Sequence, residues 1–297
     1  MIRTASPTTL PPSLEARRLA RQAHRKLEAR EYQAALALFR QAWDAGGRDD
    51  MAYNAACAAA LAGERDEAFQ WLEHALAAGF DRPRHLAEDA DLAALRDAPA
   101  FAEALRQAQA LSERTAATIQ QPELAREIIE MAEIDQEVRA RCGAAAASGP
   151  LDPALVAELQ AVDERTTARM RDIVAVHGWP GRRMVGPQAT FCAWLLVQHA
   201  DHDRAFQKQC LAALEQAVAA GEASPKEFAY LFDRVRVAED KPQRYGTQFR
   251  RVDGELVPEP IEDPEHVNER RLAIGLVTLE EYAQDLRQMH PPPPKMP

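Results

Sequence analysis

An internal repeat in the first hundred residues restricts the fold more than any other feature of the sequence. Three pairs of alanines recur at a spacing of 33 residues. The pairs are Ala23 and Ala56, Ala35 and Ala68, and Ala42 and Ala75. Each copy has the pattern of a helix, a short turn and a second helix, and small residues at these places allow two helices to approach closely. The spacing therefore predicts two stacked helix pairs.

The repeat resembles the tetratricopeptide repeat, whose period is about 34 residues. The segment that follows, DADLAALRDAPAFAEALRQAQAL, is similar to the closing element of such arrays and contains Phe101. The second copy departs from the pattern because Ala52 stands where a large residue is usual. We expect a tetratricopeptide-like domain over residues 14–115. The resemblance implies binding of a protein or peptide partner, and the alternative is a purely structural brace.

Composition favours an all-α fold and excludes several classes of protein. Glycine is scarce, with 13 residues in 297, and aromatic residues make up only 6%, whereas strands favour aromatic and β-branched residues. No apolar run approaches the roughly 18 to 20 residues of a membrane span. Residues 1–13 lack the apolar core of a secretory signal, so we expect a cytoplasmic protein. A net charge of −10 disfavours partners such as nucleic acids or anionic membranes.

A second, helical domain is predicted over residues 122–286, after Gln120-Gln121-Pro122 interrupts the helical pattern. Its predicted helices cover residues 122–141, 153–177, 187–221, 225–237 and 279–289. The stretch 239–264 has the composition of a loop, with a short hairpin around Asp253-Gly254. Residues 1–13 and the Pro-rich segment 290–297 are expected to be disordered.

Polar side chains interrupt the apolar stripes of two predicted helices in this domain. Asp135 occupies a core-facing position of the first helix, and a carboxylate is almost never buried without a partner. Gln198 and His202 share a face of the long predicted helix 187–221, and His199 lies beside that face. Asp163 borders the stripe of the second helix. We expect Asp135 and His199 to converge in a shared interior cavity, as in sites inside helical bundles.

Three hypotheses compete for the segment around His199. The first is acid–base chemistry by His199, with Asp135 or Asp163 orienting the imidazole. The second is a metal site formed by His199, His202 and Asp203, which helical spacing permits although no HExxH motif is present. The third is a buried polar network without chemistry. The sequence implies no particular cofactor.

The loop 241–248 is a second candidate site because it concentrates polar side chains around Pro242 and Gly246. Its polar side chains can donate together to one anionic or carbonyl ligand. The alternative is a rigid loop whose side chains form hydrogen bonds with the ends of the bundle's own helices. The candidates are Lys241, Gln243, Tyr245 and Gln248. Arg270-Arg271 is expected to lie on a solvated helix face.

Several short motifs appear together in a fixed order along the second domain. They are Gly178-Trp179-Pro180, Gln198-His199-Ala200-Asp201, Asp233-Arg234, Lys241-Pro242-Gln243 and Tyr245-Gly246-Thr247-Gln248. The set resembles an uncharacterised bacterial family, a domain of unknown function, over residues 122–286. The resemblance implies no activity, but it singles out site candidates. The catalytic candidates are His199, Asp135 and Lys241, and the ligand-binding candidates are Gln136, Gln198, Asp201, Gln243, Tyr245 and Gln248.

Three functions are consistent with these patterns. The first is an enzyme or small-ligand binder with a buried polar pocket, in which we expect a small anionic ligand to bind. The second is an adaptor in which the repeats bind a protein and the second domain is structural. The third is a metal-binding helical protein.

Overall fold

The computed structural model describes residues 13–146 and 149–289, and it shows an essentially all-α protein. Two units separate between residues 117 and 118. The predicted N-terminal and C-terminal tails lie outside the described residues, except for Ser13, whose side chain caps the first helix by accepting from the Ala16 amide at 3.0 Å. Within the described residues, no helix is both long and apolar enough to cross a membrane.

The first unit consists of helices that stack in sequence order. They are α1 (Leu14–Glu28), α2 (Tyr32–Asp44), α3 (Asp49–Leu61), α4 (Arg65–Ala77), α5 (Pro83–Glu88), a 3-10 helix (Ala90–Leu95) and α6 (Pro99–Ala117). The six repeated alanines are all 0% exposed, so they form the surfaces where the helices approach most closely. Left-handed backbone also recurs after 33 residues, with Arg30 (φ 59°) matching Gly63 (φ 81°) and Gly46 (φ 89°) matching Gly79 (φ 103°). The repeat is therefore visible in the backbone as well as in the sequence.

The second unit is built on five helices. They are α7 (Pro122–Ala146), α8 (Pro153–His177), α9 (Arg182–His199), α10 (Arg204–Ala219) and α11 (Pro225–Ala238). The start of α8 follows the expected signal, because Asp152 accepts from the Ala154 amide at 2.9 Å. A complete capping box with Ser224 and Glu227 starts α11. The first helix runs five residues beyond its predicted end at Arg141.

The single long helix predicted over 187–221 is wrong. The chain instead forms α9 and α10, which are separated by a turn at 200–203. Asp203 ends the turn by accepting from the Phe206 amide at 3.0 Å, so it acts as the N-cap of α10. Because the helix ends at His199, Gln198 and His202 do not share one helical face. Phe191, on the predicted apolar stripe, is 48% exposed.

The end of the second unit is irregular, as expected. The hairpin pairs β1 (Phe249–Val252) with β2 (Glu255–Pro258), and its turn residues Asp253 and Gly254 both have positive φ, as a tight hairpin turn requires. A 3-10 helix (Pro264–His266) and two α-helices follow, α12 (Val267–Ala273) and α13 (Leu279–Met289). The sequence predicted the bounds of α13, and for α12 it predicted only that Arg270-Arg271 lie on a helix.

Candidate functional site

The structure brings Asp135 and His199 together from two different helices. Asp135 projects from the middle of α7 and is 0% exposed. Its Oδ2 lies 2.8 Å from Nδ1 of His199, the last residue of α9. An acceptor carboxylate assigns the proton of the neutral imidazole to Nδ1, which leaves Nε2 as the unprotonated nitrogen. Within the described residues, Nε2 has no hydrogen-bond partner.

Two further side chains of α7 complete the surroundings of the Asp135 carboxylate. Gln136 Nε2 donates to Oδ2 at 2.8 Å, and Arg139 Nε donates to Oδ1 at 3.0 Å. Burial alone would raise the pKa of Asp135. The hydrogen bond and charge of His199, with Gln136 and Arg139, outweigh burial and hold this pKa below its usual value. Asp135 is therefore an anion that faces the imidazole.

Arg139 links the pair to a second carboxylate. Its Nη2 donates to Asp163 of α8, so one guanidinium bridges Asp135 and Asp163. Burial raises the pKa of Asp163. Arg139 opposes that rise, and the negative charge of Asp135 adds to it. The two aspartates thus have pKa values shifted in opposite directions around a shared cation.

The turn after His199 is held by side chains from α10 and α11. The two N–H groups of Gln207 Nε2 are shared among three acceptors, which are the carbonyl groups of Val197 and Gln198, at 3.1 and 3.3 Å, and Oδ1 of Asp201 at 3.1 Å. Arg234 donates from Nε to Gln198 Oε1 at 2.9 Å and forms an ion pair with Asp201 at 2.7 Å. The predicted site residues Gln198 and Asp201 therefore support the end of α9.

The metal hypothesis rested on His199, His202 and Asp203 sharing one helix, and that premise is wrong. Only His199 is helical, Asp203 caps α10, and its other contact is an ion pair with Arg171. Among the described residues, these three are not one of the groups whose donor atoms lie within 4.8 Å of one another.

A cleft of about 500 Å³ opens beside the imidazole. It is lined by Arg139, Gln160, Asp163, Glu164, His199, Asp201, His202 and Arg234. The His199 side chain is 21% exposed, so it is accessible while Asp135 behind it is not. Four helices and the turn at 200–203 thus place two guanidinium groups, two imidazoles and several acids around one polar space.

The loop 241–248 does not contribute to the lining of this cleft. It wraps around Asp233, a carboxylate of α11 that is 0% exposed. Asp233 accepts from the amides of Arg244, Tyr245 and Thr247, at 2.7, 3.1 and 3.0 Å, and from the Thr247 hydroxyl at 3.0 Å. Burial nevertheless raises the pKa of Asp233, because these bonds offset it only in part. Asp233 is a buried anchor that the sequence analysis did not identify as a site.

The predicted donors of this loop mostly bind the loop itself. Gln243 is 0% exposed, and its Nε2 donates to the carbonyl groups of Gln248 and Glu259, each at 2.9 Å. Gln248 Nε2 donates to the Thr247 hydroxyl at 3.0 Å. Lys241 forms an exposed ion pair with Glu239 at 2.6 Å. The side chains of Gln243 and Gln248 are thus engaged within the loop and with the residue after β2, whereas the rigid-loop alternative placed such contacts at the ends of helices.

Arg271 is the second buried anchor, and the expected solvated face for Arg270-Arg271 is wrong. Arg271 is 0% exposed, because α12 packs it against Tyr245 and Gly246. Its Nε donates to the Val277 carbonyl at 2.6 Å, and its guanidinium lies 4.9 Å from the centre of the Tyr282 ring. The Arg270 guanidinium donates to the backbone carbonyl groups of residues 244, 262 and 263. The expected helix exists as α12, but the face that carries Arg270 and Arg271 packs against the loop 241–248 instead of solvent.

Comparison with known proteins identifies the second unit. Residues 122–290 match a family model described as "Family of unknown function (DUF6624)". The chain belongs to this family. The match covers more than half of the 297 residues and confirms the expected domain of unknown function. No curated protein and no solved structure matches the chain significantly. Asp135, His199 and the entire cleft lie inside the DUF6624 domain.

Proposed function

We propose that the DUF6624 domain binds a small polar ligand in the cleft and that His199 exchanges a proton with it. In this proposal His199 acts as the acid–base residue. Asp135 holds the imidazole in one tautomer and stabilises the imidazolium that forms when Nε2 takes a proton. Arg139, Asp163 and Arg234 contact the ligand along the walls of the cleft.

One observation carries the proposal. A carboxylate that is 0% exposed lies 2.8 Å from Nδ1 of an imidazole that lines a polar cleft. A histidine that only stabilised the core would bury both nitrogens against protein partners. Here one nitrogen is engaged by the interior, and the other is left for whatever occupies the cleft. The proposal does not assign a role to Lys241, which lies outside the lining of the cleft.

A ligand screen on the full chain tests the proposal. Small carboxylates, amines, amides and phosphates are ranked by the rise in melting temperature that they cause. Compounds that stabilise the wild type are then measured on His199→Gln and on His177→Gln, a control at an exposed residue of α8 outside the cleft. We expect the stabilisation to persist in His177→Gln and to disappear in His199→Gln.

Proton exchange is measured on the same compounds. Calorimetric binding enthalpies in buffers of different ionisation enthalpy report the protons that are taken up or released on binding. We expect a proton change in the wild type that is lost in His199→Gln. A compound that binds all three proteins equally, with no buffer dependence, contradicts the proposed role of His199.

The repeats support a second candidate function, the binding of a protein or peptide. A groove of about 360 Å³ between α4 and α6 is lined by apolar Leu76 and Leu111 and by charged Glu73 and Arg114. Such a surface suits an amphipathic helix. In the full chain, Leu111→Glu should abolish crosslinking to an amphipathic helical peptide, whereas a substitution at an exposed residue, such as Gln109→Glu, should not. Equal crosslinking of both variants argues against this groove.

A further inference from the structure

We infer that Gln207 is a positioning residue for His199: its buried amide holds the end of α9 so that the imidazole stays against Asp135. The inference rests on the proposed function of the cleft. It concerns a residue on α10 that is absent from the lining of the cleft and therefore acts through His199 rather than on the ligand.

The hydrogen bonds of Gln207 fall on the residues directly before His199. The last carbonyl groups of any helix lack partners within that helix and must be satisfied from elsewhere. In α9 the Gln198 carbonyl accepts from Gln207 Nε2 at 3.3 Å, and the Val197 carbonyl accepts from Gln207 Nε2 at 3.1 Å in addition to the Ala200 amide at 3.2 Å. Gln207 is only 1% exposed, so water does not readily replace this donor. The position of the following residue, His199, therefore depends on the Gln207 amide.

The same amide also holds the other side of the turn. Gln207 Nε2 lies 3.1 Å from Oδ1 of Asp201, which is two residues after His199. Contacts on both sides of His199 thus converge on one donor. Arg234 contacts Asp201 as well, at 2.7 Å, but Arg234 lines the cleft and is 31% exposed. Of the two side chains, only Gln207 lies outside the lining of the cleft.

Loss of the amide should loosen the imidazole before it disturbs the rest of the domain. The Gln198 carbonyl would lose its donor, whereas the Val197 carbonyl would keep the Ala200 amide at 3.2 Å, so the last residues of α9 would have to open for water to reach Gln198. An acid–base residue must keep its geometry within a fraction of an ångström, so small movements there affect function strongly. We therefore expect the Nδ1–H bond of His199 to report directly on Gln207.

The experiment measures the Nδ1 proton of His199 by nitrogen-edited NMR on the full chain. The resonance is assigned by its loss in His199→Gln. Gln207→Met keeps the length of the side chain and removes its donors. We expect the exchange of this proton with solvent to accelerate about fivefold, the equivalent of one hydrogen bond. If Gln207→Met does not fold, Gln207→Asn keeps a shorter amide and should show a smaller acceleration in the same direction.

Two control variants separate positioning from general destabilisation. Gln209→Met changes an exposed glutamine on the same helix and should leave the exchange rate and the melting temperature unchanged. Thr190→Val removes buried hydrogen bonds to the carbonyl groups of Pro180 and Gly186, near the start of α9. It should lower the melting temperature without accelerating the exchange of the His199 proton.

The outcomes distinguish this inference from the proposed function. If Gln207→Met lowers the melting temperature as Thr190→Val does but leaves the His199 proton unchanged, the positioning role is overturned and the proposed function stands. If the wild type shows no protected Nδ1 proton on His199, the proposed function is overturned and this inference with it.

Discussion

Asp135→Asn perturbs the buried pair with the least change in shape. Asparagine has nearly the volume of aspartate, but it is neutral and replaces one acceptor oxygen with an NH₂ donor. With its oxygen towards Arg139, its NH₂ group would face Nδ1 of His199, where the wild type has Oδ2 at 2.8 Å. Two donors cannot face each other. We therefore expect the imidazole proton to move from Nδ1 to Nε2.

The expected loss of stability follows from how deeply Asp135, Arg139 and His199 are buried. Removing one partner of a fully buried ion pair costs about 3–5 kcal/mol. Arg139 and His199 are 27% and 21% exposed, so water and Asp163 compensate in part. We expect a loss of about 2–3 kcal/mol in the free energy of unfolding, which lies within the range for hydrogen bonds to charged groups. For a unit of this size, that loss lowers the melting temperature by about 4–12 °C.

Two measurements check this prediction. Differential scanning calorimetry gives the change in melting temperature, and the nitrogen chemical shifts of the His199 ring identify its tautomer. Asp172→Asn serves as the control because it removes an exposed carboxylate from α8, and its effect should stay within about 0.5 kcal/mol. The reasoning is refuted if Asp135→Asn melts within a degree of the wild type and His199 keeps its proton on Nδ1.

Three further predictions concern pH and the two buried anchors. Because the folded-state pKa of Asp135 is lowered, its stabilising contribution is present above the unfolded value of about 3.9 and is lost as the pH falls through the folded value. The difference in urea stability between the wild type and Asp135→Asn should therefore shrink as the pH falls below about 4. Asp233→Ala leaves the donors at 244–247 without their acceptor, so amide exchange in this loop should accelerate and stability fall by about 3 kcal/mol; unchanged exchange argues against the anchor. Arg271→Lys keeps the charge but cannot reach Val277 and the loop at once, so the urea midpoint should drop clearly, and an unchanged midpoint contradicts this.

Local sequence signals predicted the helices and turns whose ends are fixed by contacts among a few neighbouring residues. Asp152-Pro153 and Ser224-Pro225 start α8 and α11 because each cap bonds to amides within the next few residues. Asp253-Gly254 predicted the hairpin because both residues adopt positive φ readily. These signals involve a few neighbouring residues and need no knowledge of the fold.

The break between α9 and α10 was missed, although one local signal of this kind is present. The segment 193–197 is apolar and helical, and nothing within it signals that the helix ends two residues later. Gln207 and Arg234, which satisfy the end of α9, come from later helices. The local signal was Asp203, which caps α10 but lacks the following proline that marks Asp152-Pro153 and Ser224-Pro225. A second signal was Gln207, a polar residue that shares an apolar stripe with Cys210 and Leu214.

In the candidate site too, the sequence determined some features and the tertiary structure decided the others. The sequence alone determined that Asp135 occupies a core-facing position of its helix, because the positions of the apolar residues along a helix show which face is buried. It also determined that Asp135 needs a partner, because an unpaired buried carboxylate is too unfavourable to persist. It led to the expectation that His199 is this partner, but it left open whether Asp135 or Asp163 orients the imidazole, and Arg139 lies four residues after Asp135. Only the packing of α7 against α9 decided that His199, 64 residues away, supplies the contact at 2.8 Å. Burial is a property of a residue's own helix, whereas pairing between helices depends on how the whole chain packs.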